Sequence, residues 1–239
     1  MSKESFDAKW YPSFRDNWDD LLFRKYILEH LHPEATLLDV GAGAGIVEEM
    51  NFKMCCKEVV GVDLDPRVAT NPFLHRGLVA DAIDLPLPDC YFDVVIADNV
   101  MEHIDDPEGI LKEIVRVLKP GGVVLFKTPN FFHYMPIIAH LTPYSFHAWV
   151  NRLRGRDTVD TFPTRYKLNS RGAVMRYAKQ FNLRVNSISL IEGRPEYLRF
   201  SAVTYWLGML YERVVNSSDI FQSFRILLIA DLQKGCDVD

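Results

Sequence analysis

Short, continuous apolar runs punctuate the first half of the chain, and their spacing leaves few architectures open. They are Thr36-Leu37-Leu38-Asp39-Val40, Glu58-Val59-Val60-Gly61-Val62-Asp63, a weaker one around Leu78-Val79-Ala80, Phe92-Asp93-Val94-Val95-Ile96-Ala97, and Val123-Val124-Leu125-Phe126. Strands that alternate apolar and polar residues have one wet face. Strands that are apolar throughout are covered on both. Helical stretches separate the runs. Residues 16–31 place Trp18, Leu21, Leu22, Tyr26 and Leu28 among charges, and a second helix is expected from the glycines after Val40 to about Cys55. A third runs from about Pro107 to Leu118 and is broken by Lys119-Pro120-Gly121-Gly122.

Right-handed crossovers between such strands give an α/β, doubly wound, mostly parallel sheet of Rossmann-like form, with ligands at the carboxyl ends of the strands. Leu183–Ile191 and Phe224–Leu232 read as two further strands. The last is expected to insert antiparallel, completing a seven-stranded sheet. The chain reads as a single domain over 1–239. Within it lie a core at 30–130, a lid inserted after strand five at 129–169 and a helical insertion at 196–217 between the last two strands.

The first run leads into Gly41-Ala42-Gly43-Ala44-Gly45, a turn that lets backbone N–H groups approach a ligand. The third glycine of a dinucleotide fingerprint is replaced by Ile46, and no Gly-Lys-Ser/Thr of a phosphate loop follows. Carboxylates stand at successive strand ends: Asp39, Asp63, Asp81 and Asp98. Each alone also reads as the cap of a following helix. Together they repel a phosphate-rich ligand and suit a cationic one.

Composition narrows the class further. With 239 residues, 48% hydrophobic, and 27 basic against 32 acidic side chains (net −5), the chain is globular and lacks the basic excess of a general nucleic-acid binder. The longest apolar stretch, Ala202 to Tyr211, falls well short of the roughly 18 residues of a membrane-spanning helix. The first residues mix both charge signs, unlike a secretory signal. Cys55, Cys56, Cys90 and Cys236 make neither a CxxC pair nor a metal cluster, so a cytoplasmic setting is expected.

Leu37-Leu38-Asp39-Val40-Gly41-Ala42-Gly43-Ala44-Gly45, Val60-Gly61-Val62-Asp63, Asp81-Ala82-x-x-Leu85-Pro86 and Leu118-Lys119-Pro120-Gly121-Gly122 resemble, in order, the motifs of class I S-adenosylmethionine-dependent methyltransferases. They are most similar to the small-molecule branch that includes ubiquinone-biosynthesis enzymes. The resemblance covers roughly residues 30–130. It implies S-adenosyl-L-methionine as cofactor. Asp39, Gly41 and Gly43 would hold the methionine portion and Asp63 the ribose hydroxyls. Leu64 would lie against the adenine, Asp81 would take its amino group and the Ala82 amide a ring nitrogen, with the main chain near Asp98 beside the sulfonium.

Methyl transfer relies on proximity and alignment, and a base is needed only for a protonated acceptor. His103, in Asp98-Asn99-Val100-Met101-Glu102-His103-Ile104, is the candidate base; a histidine that merely orders the loop is the alternative. Some relatives hold a divalent ion with E-x-x-E-H here. In this chain Asn99 takes the first position, so Glu102 and His103 are expected to bind no metal.

Beyond the core, His133, Tyr134, His140, Tyr144 and His147 lie in the expected lid, and residues 151–184 carry nine basic side chains against Asp157 and Asp160, a local +7. A solvated helix face explains part of this; an anionic acceptor explains it as well. The aromatic segment 196–217 reads as a lid or dimer face, which leaves room for a homodimer. The reading is methyl transfer to a small molecule, an oxygen acceptor first, anionic or lipid-like. The alternatives are a non-catalytic cofactor-binding protein and an RNA methyltransferase using residues 151–184.

Overall fold

A computed structural model describes residues 3–14, 17–141, 163–199 and 201–236. Its centre is a seven-stranded sheet: β1 (Thr36–Val40), β2 (Glu58–Asp63), β3 (Arg76–Val79), β4 (Phe92–Asp98), β5 (Leu118–Pro129), β6 (Leu183–Ile191) and β7 (Leu227–Lys234). Their order is β3-β2-β1-β4-β5-β7-β6. The first five strands pair in parallel, and β7 runs antiparallel to both its neighbours. This is the sheet expected from the apolar runs, including the antiparallel last strand.

The helices, in chain order, are α1 (Lys3–Trp10), α2 (Trp18–Leu28), α3 (Pro107–Val117), α4 (Tyr134–Leu141), α5 (Arg171–Gln180) and α6 (Ala202–Asn216). All five residues of β1 are buried, because side chains alternate across the sheet and both faces are covered. Leu38 and Val40 join Ile110, Leu111, Ile114 and Val117 of α3 and Val174 and Ala178 of α5 in one core. Leu37 joins Phe23 and Ile27 of α2 in the other. α3 starts where Asp106 accepts the Gly109 N–H and Pro107 takes the first turn, a cap worth about 1 kcal/mol.

The helix expected to run from the glycine loop to about Cys55 does not form. Its place holds a 3-10 turn, Glu48–Met50, and irregular chain. Arg24 of α2 donates to the Glu49 carbonyl at 2.6 Å and the Asn51 carbonyl at 2.8 Å, taking up acceptors that a helix would use internally. Phe52 and Cys56 supply the packing into the core. β5 is longer than the run at 123–126, because Leu118 to Gly122 continue it with Gly121 at φ +78°. β7 begins later than expected, since Asp219–Phe224 forms a 3-10 turn.

Of the expected lid, α4 and residues 163–169 are described; Tyr144, His147, Arg152, Arg154, Arg156, Asp157 and Asp160 lie outside the described residues. The segment 196–217 contains α6, opened by a reciprocal Ser201–Thr204 capping box. Phe6 and Tyr11 pack with Tyr205 and Met209 of α6, so α1 is docked on that helix. No described helix is long and apolar enough to cross a membrane.

Candidate functional site

The turn after β1 needs its glycines. Gly41, Gly43 and Gly45 sit at φ +78°, +53° and +71°. A Cβ on Gly41 would lie 2.2 Å from Val100 Cγ2, and one on Gly45 would lie 2.2 Å from Asn71 Oδ1. At Gly43 the nearest neighbour would be Asp63 Oδ2 at 3.9 Å, so this position faces open space. Asp63 organises the loop: its Oδ2 accepts the Gly43 N–H and its Oδ1 the Asp65 N–H, each at 2.8 Å.

Three hollows share residues at the strand ends. One of about 460 Å³ is lined by Asp39, the segment from Gly41 to Val47, and Asp98. A second, about 490 Å³, is lined by Asp63, Leu64, Asp81, Ala82 and His103, with Gly41 and Asp98 common to both. All the cofactor residues expected from the sequence therefore gather around two adjoining hollows. Leu64 stays 68% exposed there, an apolar side chain offered to a flat ligand. The third hollow, about 640 Å³, lies beyond Asn99.

Asp39 is buried, and its carboxyl is held well above the usual range by that burial and by the neighbouring Asp98 and Asp63. Burial likewise pushes Asp98 up to about 6, against the pull of Lys127. Carboxyl groups crowded at one rim favour a cation and oppose phosphate. Their fit to a ligand bearing a sulfonium and an ammonium is good, and the open space at Gly43 gives backbone access.

Lys127 was missed by sequence reasoning. It is fully buried on β5, with Nζ bonded to Asp20, 3.1 Å from Asp19 Oδ2 and 3.0 Å from Asp98 Oδ1. Burial opposes its charge, but the three carboxylates outweigh that and raise its pKa. The available signal was a lysine directly after the apolar run Val123–Phe126, which requires buried anionic partners. Through it the start of α2 is drawn over the site, so that Asn17 and Asp19 line both the 460 and the 640 Å³ hollows.

His103 lines the hollow of Asp63 and Asp81, not the largest one; its Nδ1 lies 3.1 Å from the Pro163 carbonyl. Glu102 turns away from it. Its Oε2 accepts the Thr128 hydroxyl at 2.8 Å, while Oε1 is 4.0 Å from His103 Nε2. Burial raises the Glu102 carboxyl. Among the described residues no group of three or more His, Cys, Asp or Glu side chains is placed to hold a metal.

The largest hollow is walled by Trp18, Tyr134 and Tyr197, with Glu102, Glu192, Arg194, Glu196 and Arg199 supplying charge. Arg194 and Arg199 each bind both Asp7 and Glu196. Of the described cations of 151–184, none lines this hollow: Arg165 and Lys167 face Asp105, Arg171 reaches the Ile188 carbonyl and Arg184 binds Gln233. Of the wall residues from Glu192 onward, Glu196, Tyr197 and Arg199 fall in the segment 196–217 expected as a lid or dimer face, and Glu192, Arg194, Ile226 and Leu227 were not expected as site residues. Their signal is a run of four charged side chains (Glu192, Arg194, Glu196 and Arg199) following a strand.

A family model described as a methyltransferase domain matches residues 38–126. Over 101 residues the chain is 35% identical to the malonyl-[acyl-carrier protein] O-methyltransferase of Serratia marcescens, covering 41% of this chain and 39% of that protein. It is 32% identical over 107 residues to the ubiquinone biosynthesis O-methyltransferase of Nitrosomonas europaea, covering 41% and 45%. The matches thus span less than half the length of these curated relatives. In fold, it is similar to the geranyl diphosphate C-methyltransferase of Streptomyces coelicolor A3(2), with a TM-score of 0.54 at 16% identity, over 88% of this chain and 77% of that one. Over residues 38–126 the chain is thus similar to methyltransferase domains, O-methyltransferases among them. Of the residues lining the largest hollow, Asn99 and Glu102 alone fall inside the matched region.

Proposed function

We propose that the protein transfers a methyl group from S-adenosylmethionine to a small-molecule acceptor held in the 640 Å³ hollow. One observation carries this reading: Asn99 lines all three hollows, so a ligand spanning the two cofactor-side hollows meets an occupant of the third there. Asn99 adopts φ +52°, a conformation costly for most residues and found where a site over-determines the backbone. Alignment of two bound molecules supplies most of what this displacement needs.

In this reading Asp39 and Asp98 receive the cationic end of the cofactor. Gly41 and Gly43 carry its backbone contacts, Asp63 takes the ribose hydroxyls, Leu64 lies against the base, and Asp81 and Ala82 read its edge. His103, the expected base, lines a cofactor-side hollow and not the 640 Å³ one, so a base role for it requires an acceptor that reaches past Asn99. The protein acts in the cytoplasm on a diffusible metabolite. Of the nine basic side chains behind the anionic-acceptor expectation six are described, and none of these lines the 640 Å³ hollow, whereas Pro129 and Tyr134 of the expected lid do. Calorimetry with S-adenosylmethionine and S-adenosylhomocysteine tests the cofactor, with Asp63→Ala expected to weaken both at least tenfold. Transfer is tested by a labelled-methyl screen of metabolite extract. No binding by the intact protein overturns the reading.

A further inference from the structure

Glu192 follows directly on β6, and its side chain is 4% exposed and yet lines the 640 Å³ hollow. Its Oε2 accepts the Ile226 N–H at 2.8 Å; among the described residues its Oε1 makes no hydrogen bond. Behind it lies His133, 1% exposed. The Met135 N–H donates to His133 Nδ1 at 3.2 Å, which assigns the ring hydrogen to Nε2. That nitrogen lies 3.6 Å from Glu192 Oε2 and has no hydrogen-bond partner among the described residues.

The charges around the hollow do not balance. Arg194 and Arg199 are matched by Asp7 and Glu196, and Asp19 shares Lys127 with Asp20 and Asp98. Glu192 has no ion-paired cation. The groups that face it are His133, the Tyr211 ring, Glu212 of α6 and Arg225, whose guanidinium is spent on the Val215 and Leu190 carbonyls. His133 is neutral, because burial lowers its pKa to about 3. Trp18, Tyr134 and Tyr197 put aromatic rings on the same hollow, and ring faces attract cations.

We propose that this hollow binds a molecule carrying an ammonium group, held between the free oxygen of Glu192 and the aromatic walls. The acceptor class is therefore an amine-bearing small molecule. This inference rests on the methyltransferase reading for the word acceptor, but the binding stands without it. Burial pushes the Glu192 carboxyl up to about 8, so at neutral pH it is largely protonated before the ligand arrives. An ammonium favours the carboxylate, and its binding releases that proton. Affinity consequently rises with pH up to about 8.

The probe is phenethylammonium, with 3-phenylpropionate as its anionic counterpart. Each is titrated calorimetrically into the full chain, with and without S-adenosylhomocysteine, in buffers of different ionisation enthalpy. The expected result is at least tenfold tighter binding of the ammonium, a proton released on binding at pH 7, and at least tenfold loss of that affinity with loss of proton release in Glu192→Gln. Equal or tighter binding of the propionate, no binding of the ammonium, or an unchanged Glu192→Gln overturns the proposal. The comparison of the two probes on the unaltered chain holds even if the variant fails to fold. Failure of S-adenosylhomocysteine to bind counts against the methyltransferase reading alone.

Discussion

Lys127 Nζ lies 3.0 Å from Asp98 Oδ1, and this contact ties the end of β4, where all three hollows meet, to the start of α2 through Asp19 and Asp20. A buried cation among three carboxylates is costly to make and more costly to break, because removing it strands the acids.

Lys127→Met is therefore expected to destabilise the protein by about 3–5 kcal/mol, the range for breaking a buried ion pair. Loss of the lysine leaves Asp98 still harder to ionise, so the deficit should shrink as pH falls toward about 6, the value to which Asp98 is already raised, and stay constant below it. Urea unfolding at several pH values measures this; a deficit that is flat with pH would refute the account.

Glu192 has its own pH signature. A carboxyl raised in the folded state contributes stability that is complete below its unfolded value and is lost as pH rises through the folded value. With the folded value at about 8, the protein should lose up to about 1.4 kcal/mol per pH unit from this group between roughly pH 5 and 8. Glu192→Gln removes that slope. Parallel denaturant curves of the two proteins across this range would show the attribution to be wrong.

Gly41→Ala should cost about 1–3 kcal/mol and weaken S-adenosylhomocysteine binding, because φ +78° and the contact with Val100 both oppose a side chain. Adding Val100→Ala removes the clash and leaves the backbone penalty. A partial recovery in thermal stability is the expected result; complete recovery would mean that the backbone strain contributes nothing.

Asp7 fastens α1. It binds Arg194 and Arg199 and accepts the Tyr205 hydroxyl at 2.7 Å. Asp7→Asn should raise hydrogen exchange and proteolysis within α1 while S-adenosylhomocysteine affinity stays unchanged. Unaltered protection of residues 3–14 would contradict this.

The sheet was legible in the sequence because strands covered on both faces leave continuous apolar runs, and the rim acids because they directly follow those runs. The helix expected before Cys55 failed for a reason local sequence does not record: Arg24, about two dozen residues earlier, captures its carbonyls. Lys127 announced itself only as an intruder after an apolar run. His133 was legible only as a residue of the expected lid, and its meeting with Glu192 left no trace, since 59 positions of chain separate them and β6, β7 and α4 must all be in place before they meet. The role given to residues 151–184 came from charge alone, and charge does not say where a side chain is spent.

The matched region 38–126 supplies nearly all of the two cofactor-side hollows, whereas the 640 Å³ hollow is walled by Asn17 to Asp19, by the stretch from Glu192 to Arg199 and by Ile226 and Leu227. The hollows are thus built mostly from different parts of the chain, which meet at Asn99 and, for the 460 and 640 Å³ hollows, at Asn17 and Asp19 as well. Apart from Glu102, the residues that wall the 640 Å³ hollow alone, among them Trp18, Pro129, Tyr134 and the stretch from Glu192, lie outside Leu38 to Phe126, so substitutions there can change what this hollow accepts while the matched sequence is left untouched.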